Sequence, residues 1–173
     1  MRRRIWIAAG GGAVLALLIG AGVAGLRFNS TRSIAQGLYR VTEEPLRAGA
    51  YVLACPPPVQ PFLEARARLY IGPGICPGRM GYLMKRVVAV CGDRVELTEA
   101  AVVVNGRAVP GSARLPADTV GRPLPQPTSA STVLGDEVLL MGDVSPRSFD
   151  GRYFGPVDRT HILAVIRPVF TWN

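Results

Sequence analysis

The chain has 173 residues with a formal charge of +8, and is rich in glycine and proline (20 and 15); beyond a hydrophobic N-terminus about 145 residues remain, enough for one domain with a single core. The charge does not signal nucleic acid, because Arg2, Arg3, Arg4 and Arg27 supply half of it, with no acid among residues 1–27, and the rest is spread without a basic cluster. A single histidine, His161, excludes a multi-histidine metal site, and no CxxC pair or acidic constellation replaces it, so neither metal nor other cofactor is expected.

Residues 5–26 form an uncharged run, about 33 Å long as a helix and so matched to a bilayer core. Its six glycines would weaken a soluble helix but are common in spanning ones. Arg2, Arg3 and Arg4 would hold the N-terminus in the cytoplasm and send the rest across; Arg27 weakens that asymmetry without reversing it. The length favours a retained anchor over a cleaved signal peptide, for which Gly22-Val23-Ala24 would be the processing site. Either reading exports the remainder, and the division expected is 1–27 as anchor with basic flanks and 28–173 as the exported domain.

A polar link (27–32) leads into Ser33-Ile34-Ala35-Gln36-Gly37-Leu38-Tyr39-Arg40-Val41. Strand-like apolar or β-branched runs follow at 50–54, 68–71, 82–90, 94–97 and 101–104, and again at 137–141 and 162–166. Asn105-Gly106 is a tight-hairpin signal, and 60–66 reads as one short helix. Residues 110–132, rich in proline, serine and glycine, form an extended excursion without core periodicity. Together these predict a mainly β domain on one membrane helix. Cys55 and Cys76 sit in turn-like surroundings, Ala54-Cys55-Pro56-Pro57 and Gly74-Ile75-Cys76-Pro77. In an oxidising compartment they could pair, leaving Cys91 odd, or all three could be independent thiols.

Lys85 is the only lysine among the 20 basic residues. Arginine stays protonated at any workable pH, whereas a buried lysine can lose its proton and act as a base. Strand alternation would put Lys85 on the apolar face with Leu83, Val87 and Ala89, where the neutral amine is favoured. Near the C-terminus, the segment from Gly142 to Val157 supplies a polar turn with the Ser148 hydroxyl and a potential Asp150–Arg152 ion pair. From chemistry alone this turn could be structural.

That segment resembles the Gly-Asp-x-x-x-x-Ser-x-Asp-x-Arg-x-x-Gly-x-Val box of type I signal peptidases, matched at each fixed position. Lys85-Arg86-Val87-Val88-Ala89-Val90-Cys91-Gly92-Asp93 resembles the box that holds their catalytic lysine, and the order of serine, lysine strand and Gly-Asp box is the same. Asn29-x-Thr31-x-Ser33-x-x-x-Gly37-Leu38-Tyr39, the Cys55-Pro56 and Cys76-Pro77 pairs, and Ser148-Phe149-Asp150-x-Arg152-Tyr153-Phe154-Gly155-Pro156 are similar to the conjugative-transfer subgroup of the TraF type. The chain departs from the family at Ala35 and Cys91, where prolines are usual, at Gly151 in place of serine, and at Ala50 in place of an acid.

The resemblance implies a signal-peptidase/LexA-like β domain, a bacterial inner-membrane location with the catalytic domain in the periplasm, and serine peptidase chemistry. It implies Ser33 as nucleophile, Lys85 as neutral general base, Ser148 as the group that aims the lysine, and Asp150 and Arg152 as braces of that loop. The Ser33 N–H and, if its segment is extended, the Thr31 hydroxyl would meet the oxyanion. Substrate would bind as an added strand, with small residues before the cut. The partners implied are a propilin or other membrane-inserted pre-protein, inner-membrane lipid and a conjugative secretion apparatus, with cleavage completed by water or by the pilin's own amine. Rival readings are a general signal peptidase, a LexA-like self-cleaving regulator and a non-catalytic periplasmic scaffold. The short single-anchor chain argues against the first, and a spanning run in the place of a DNA-binding domain argues against the second. His161 opens an apolar strand with no motif around it and is expected to be structural.

Overall fold

β-Branched and aromatic runs between glycine and proline turns give twelve strands among the described residues of the computed structural model, which are Gly20, Gly22, 25–127 and 131–172. The larger sheet has the order β1 (Leu26–Asn29), β2 (Gln36–Thr42), β12 (Ile162–Trp172), β3 (Tyr51–Ala54), β5 (Leu83–Ala89), β10 (Glu137–Met141) and β11 (Val157–Asp158). Its pairings are antiparallel throughout. The second sheet runs β8 (Arg107–Ala108), β7 (Val102–Val104), β6 (Arg94–Leu97) and β9 (Ser131–Val133). A short β4 (Pro73–Cys76) stands outside both. The fold is mainly β, as expected. The apolar run 5–26 falls almost entirely outside the described residues, and among those no helix is long and apolar enough to cross a membrane.

β5 lies inside the larger sheet between β3 and β10, so its inward positions are walled on both sides. Lys85, Val87 and Ala89 are buried on one face; on the other Arg86 is exposed while Met84 is buried in a second cluster with Ile34, Tyr39 and Leu53. β12 is longer than the expected 162–166 because it continues alongside β2 after leaving β3 at Ile166. Pro168 falls in that outer half, where a missing N–H costs no ladder bond on the β3 side, and the register shifts between Pro168 and Phe170. Just past the shift Gly37 pairs with Thr171 at φ 140°; a Cβ there would lie 2.2 Å from the Phe170 carbonyl oxygen. Asn105 and Gly106 both take positive φ (49° and 77°) and close the β7–β8 hairpin.

Two expectations are corrected. Residues 68–71 are not a strand but the turn that follows the helix Phe62–Ala67, with the Tyr70 N–H donating to the Ala65 carbonyl over 2.8 Å. Their apolarity serves core contact: Ile71 is 2% exposed, and burying such a side chain stabilises by about 1.5–3 kcal/mol whatever the backbone around it. β1 begins at Leu26, so Leu26 and Arg27, grouped above with the N-terminal segment, belong to the sheet. The main core gathers Val52, Phe62, Ile71, Met80, Leu140 and Phe149, among others, beneath that helix. Cys55 and Cys76 are joined by a disulfide with Cα atoms 5.5 Å apart, fastening β4 to the end of β3; Cys91 is free and exposed.

Candidate active site

Asn29, the last residue of β1 and 3% exposed, organises the turn that carries Ser33. Its Nδ2 donates to the carbonyls of Thr31 (2.9 Å), Ile34 (3.1 Å) and Ala35 (3.0 Å). Its Oδ1 accepts from the Thr31 N–H at 3.1 Å and the Thr31 hydroxyl at 2.8 Å. Ile34 is fully buried, and the Tyr39 hydroxyl donates to the Ala35 carbonyl over 2.6 Å, so the turn is pinned on both sides of Ser33. Residues 31–34 form a bend and not an extended segment. The same-side placement expected of the Thr31 hydroxyl therefore does not apply, and that hydroxyl holds the turn through Asn29. The Ser33 N–H meets no acceptor among the described residues.

One strand, β5, and two loops, the β1–β2 turn and the loop after β10, converge here. Lys85, 2% exposed, reaches from β5 and its Nζ lies 2.8 Å from Ser33 Oγ and 2.6 Å from Ser148 Oγ. Burial lowers the amine from its ordinary 10.5 to about 8; Arg152 adds to that, while Asp150 and Asp143 oppose it. A neutral amine has one lone pair and two N–H groups. It can accept the Ser33 hydroxyl hydrogen on one side while donating to Ser148 on the other.

The Gly-Asp box closes on the serine through its backbone. The Asp143 and Val144 N–H groups donate to the Ser33 carbonyl over 2.9 and 3.3 Å. A Cβ on Gly142 would fall 2.4 Å from Ser148 Oγ and 2.7 Å from the Ser33 carbonyl oxygen, so only glycine lets the two serines approach Lys85 together. The Asp143 carboxylate accepts from the Tyr51 hydroxyl at 2.7 Å and faces Arg86 at 3.7 Å. Burial, helped by Asp143, pushes the Tyr39 and Tyr51 phenols up to about 12, so both remain donors.

Asp150 and Arg152 are 0% and 1% exposed and form a bidentate pair, Nε to Oδ1 at 2.8 Å and Nη2 to Oδ2 at 3.1 Å. Asp150 Oδ2 also accepts from the Gly142 N–H at 2.9 Å. Arg152 Nη1 donates to the carbonyls of Pro146 (3.0 Å), Gly111 (3.0 Å) and Ala113 (3.2 Å). A buried pair whose remaining donors and acceptors are satisfied in this way holds the Ser148 loop against the segment at 111–113. At Gly151 a Cβ would meet the Leu140 carbonyl oxygen at 2.9 Å, so the departure from serine at this position fits the close packing on β10.

A cleft of about 510 Å³ opens over Ser33 and Ser148. One wall comes from Leu115, Pro116, Ala117, Asp118, Thr119 and Leu124, in the excursion that has no core periodicity. Sequence patterning missed these residues because a cleft wall needs neither a helical nor a strand period. The only hint was apolar Leu115 and Leu124 inside a proline-rich loop. Asp118 shapes the tip: it accepts from the Tyr70 hydroxyl (2.5 Å), Arg122 Nε (2.6 Å) and the N–H groups of Val120 (3.0 Å) and Arg122 (2.8 Å), which hold its carboxyl well below the usual range. His161 ends the 3-10 turn Arg159–His161, where its carbonyl accepts from the Cys55 N–H, and does not line the cleft.

A family model described as signal peptidase, peptidase S26, matches residues 3–172. The chain is 55% identical over 168 residues to a plasmid transfer protein TraF of Escherichia coli, covering 96% of this chain and 95% of that one. It is 39% identical over 162 residues to a conjugal transfer protein TraF of Agrobacterium tumefaciens (strain 15955), covering 92% and 90%. A solved signal peptidase I of Enterococcus faecalis V583 covers 72% of this chain and 98% of its own at 15% identity and a TM-score of 0.39, a likeness too slight to carry weight. With its sequence matched from end to end and its lysine between two serines, the chain belongs to the signal peptidase family, peptidase S26, in the company of the TraF transfer proteins.

Proposed function

We propose that the protein is a membrane-anchored serine endopeptidase that processes a conjugative propilin, with Ser33 as nucleophile and Lys85 as general base. The observation that carries this reading is the buried amine, lowered to about 8, at 2.8 Å from a cleft-lining serine hydroxyl. Ser33 Oγ attacks the scissile carbonyl carbon while its proton passes to the neutral Lys85 Nζ. The oxyanion is met by the Ser33 N–H. As the C–N bond breaks, the lysine ammonium returns the proton to the leaving amine and an ester remains on Ser33. A water, or the amine of the pilin itself, then adds to the ester; Lys85 takes its proton and delivers it to the departing Ser33 oxygen. Ser148 keeps the amine aimed throughout, and the Asp150–Arg152 pair keeps Ser148 in place.

Residues 5–26 fit a single inner-membrane anchor by length and flanking charge. Ser33 follows Leu26 by seven residues, a reach of at most about 25 Å, so the site would work beside the periplasmic face on a membrane-inserted pre-protein. The names of the relatives place those proteins in plasmid and conjugal transfer, and the substrate inferred for this chain from that company is the membrane-inserted pilin of a mating apparatus. Whether water or the pilin amine completes the reaction is a contest of effective concentration.

The test is the intact mass of the candidate pilin from cells carrying wild-type enzyme, Ser33→Ala or Lys85→Met. Trimming by the wild type alone is expected, and a product one water lighter than its linear sequence identifies aminolysis. Equal pilin masses in all three strains would remove that pilin as substrate and favour a scaffold.

A further inference from the structure

Each serine of the site is preceded by an arginine. Arg32 precedes Ser33 and Arg147 precedes Ser148, and all four residues line the 510 Å³ cleft. Both arginines are exposed, and no carboxylate among the described residues lies within ion-pair distance of either. Residues 1–24 and 128–130 contain no acidic side chain that could supply one. Arg47, Arg68, Arg86, Arg122, Arg152 and Arg167 each face a carboxylate, while the other described arginines, Arg32 and Arg147 among them, do not; what sets these two apart is their place in the cleft lining. The one acid in the cleft lining, Asp118, is taken up by Tyr70 and Arg122. Leu115, Pro116, Leu124 and Phe149 make the neighbouring wall apolar, and a low-dielectric wall strengthens the field of a charge beside it.

We propose that Arg32 and Arg147 bind a carboxylate flanking the scissile bond, so that the cleft selects a peptide that is acidic close to its cut site. The inference rests on the serine peptidase reading of the same site. Guanidinium forks match carboxylates in plane and can take them bidentately, which a scatter of lysines would not do. The carboxylate has two sources, an Asp or Glu side chain near the cut or the substrate's own C-terminus a few residues beyond it. The pairing chemistry is common to both.

The full-length protein in detergent micelles is assayed with internally quenched decapeptides centred on Ala-Ala, with Glu or Gln at each of three positions on either side. A second set ends one to four residues after the cut, as free acid or amide. At one position Glu should raise kcat/KM over Gln by about five-fold, the upper range for a partly exposed ion pair. That ratio should fall to unity in Arg32→Gln or Arg147→Gln and be partly kept in the matching lysine variant. A preference confined to the free acid over the amide assigns the terminal carboxylate as the source. Ser33-dependent cleavage with Glu equal to Gln and acid equal to amide overturns the arginine proposal alone. Failure to cleave any of the peptides, or cleavage that survives Ser33→Ala, overturns the peptidase reading and this proposal with it.

Discussion

A lysine amine at 2% exposure is costly while it is charged, and that cost is what would ready it as the proposed base. With its pKa lowered from 10.5 to about 8, the folded protein binds fewer protons than the unfolded chain between those values. Stability from this group is therefore lowest below pH 8 and rises as pH climbs toward 10.5, by about 3 kcal/mol for a shift of this size. Lys85→Met removes the titration, so the wild-type minus variant stability, read by denaturant melts, should grow across that window. Catalysis follows the same group: kcat/KM should rise tenfold per pH unit below 8 and level off above it. Lys85→Arg should be inactive, because a guanidinium does not deprotonate; activity within tenfold of wild type would refute the base assignment. The single lysine was visible in the sequence because its chemistry differs from that of the surrounding arginines. Asn29 was visible only as a motif letter, since nothing in a sequence says that one buried amide will hold the carbonyls of Thr31, Ile34 and Ala35.

At the level of elements, the site is a meeting of the β1–β2 turn, the middle of β5 and the loop after β10. Gly142, at the end of β10, is the point of closest approach. Gly142→Ala would force a Cβ to within 2.4 Å of Ser148 Oγ and 2.7 Å of the Ser33 carbonyl oxygen. Opening that contact displaces one serine from the amine, and a misplacement near 1 Å costs about 10²-fold in rate. The expected result is a folded protein, judged by an unchanged circular dichroism spectrum, with kcat down by about that factor; full activity would show the spacing to be slack. β5, β10 and the Asn105-Gly106 hairpin were legible from period and turn chemistry alone. The 68–71 turn was not, because Tyr70 and Ile71 are apolar for the sake of the core and the cleft, whatever their backbone does. Both sides of the cleft show the same limit: residues 31–34 bend, so the extension on which the Thr31 placement was conditional is not met, and 115–124 build a wall without any period.

For the whole molecule, the relation of the sheet to the apolar N-terminal run matters most. β1 starts at Leu26, the last residue of that run, so the sheet begins in the sequence where the run ends, and the polar link expected at 27–32 is partly strand. If the run is the proposed anchor, the catalytic turn is held at a set height above the bilayer. Ten Gly/Ser residues inserted before Leu26 add up to about 33 Å of reach. In reconstituted vesicles the variant should cut membrane-inserted test substrates at sites farther from the bilayer, as mapped by product mass. An unchanged cut position would show that the height is set by something other than the tether. Arg152 bears on a different property of the whole. One guanidinium holds the Ser148 loop by Pro146 and the segment leading into the cleft wall by Gly111 and Ala113. The root of the cleft wall and the Ser148 loop therefore share a fastening, to which the Leu115 N–H, donating to the Tyr153 hydroxyl over 3.1 Å, adds a second tie. If the proposed function holds, descendants of this chain could diverge in what they cut by altering the loop beyond residue 113, whereas discarding the loop's root would also loosen the Ser148 loop that Arg152 holds.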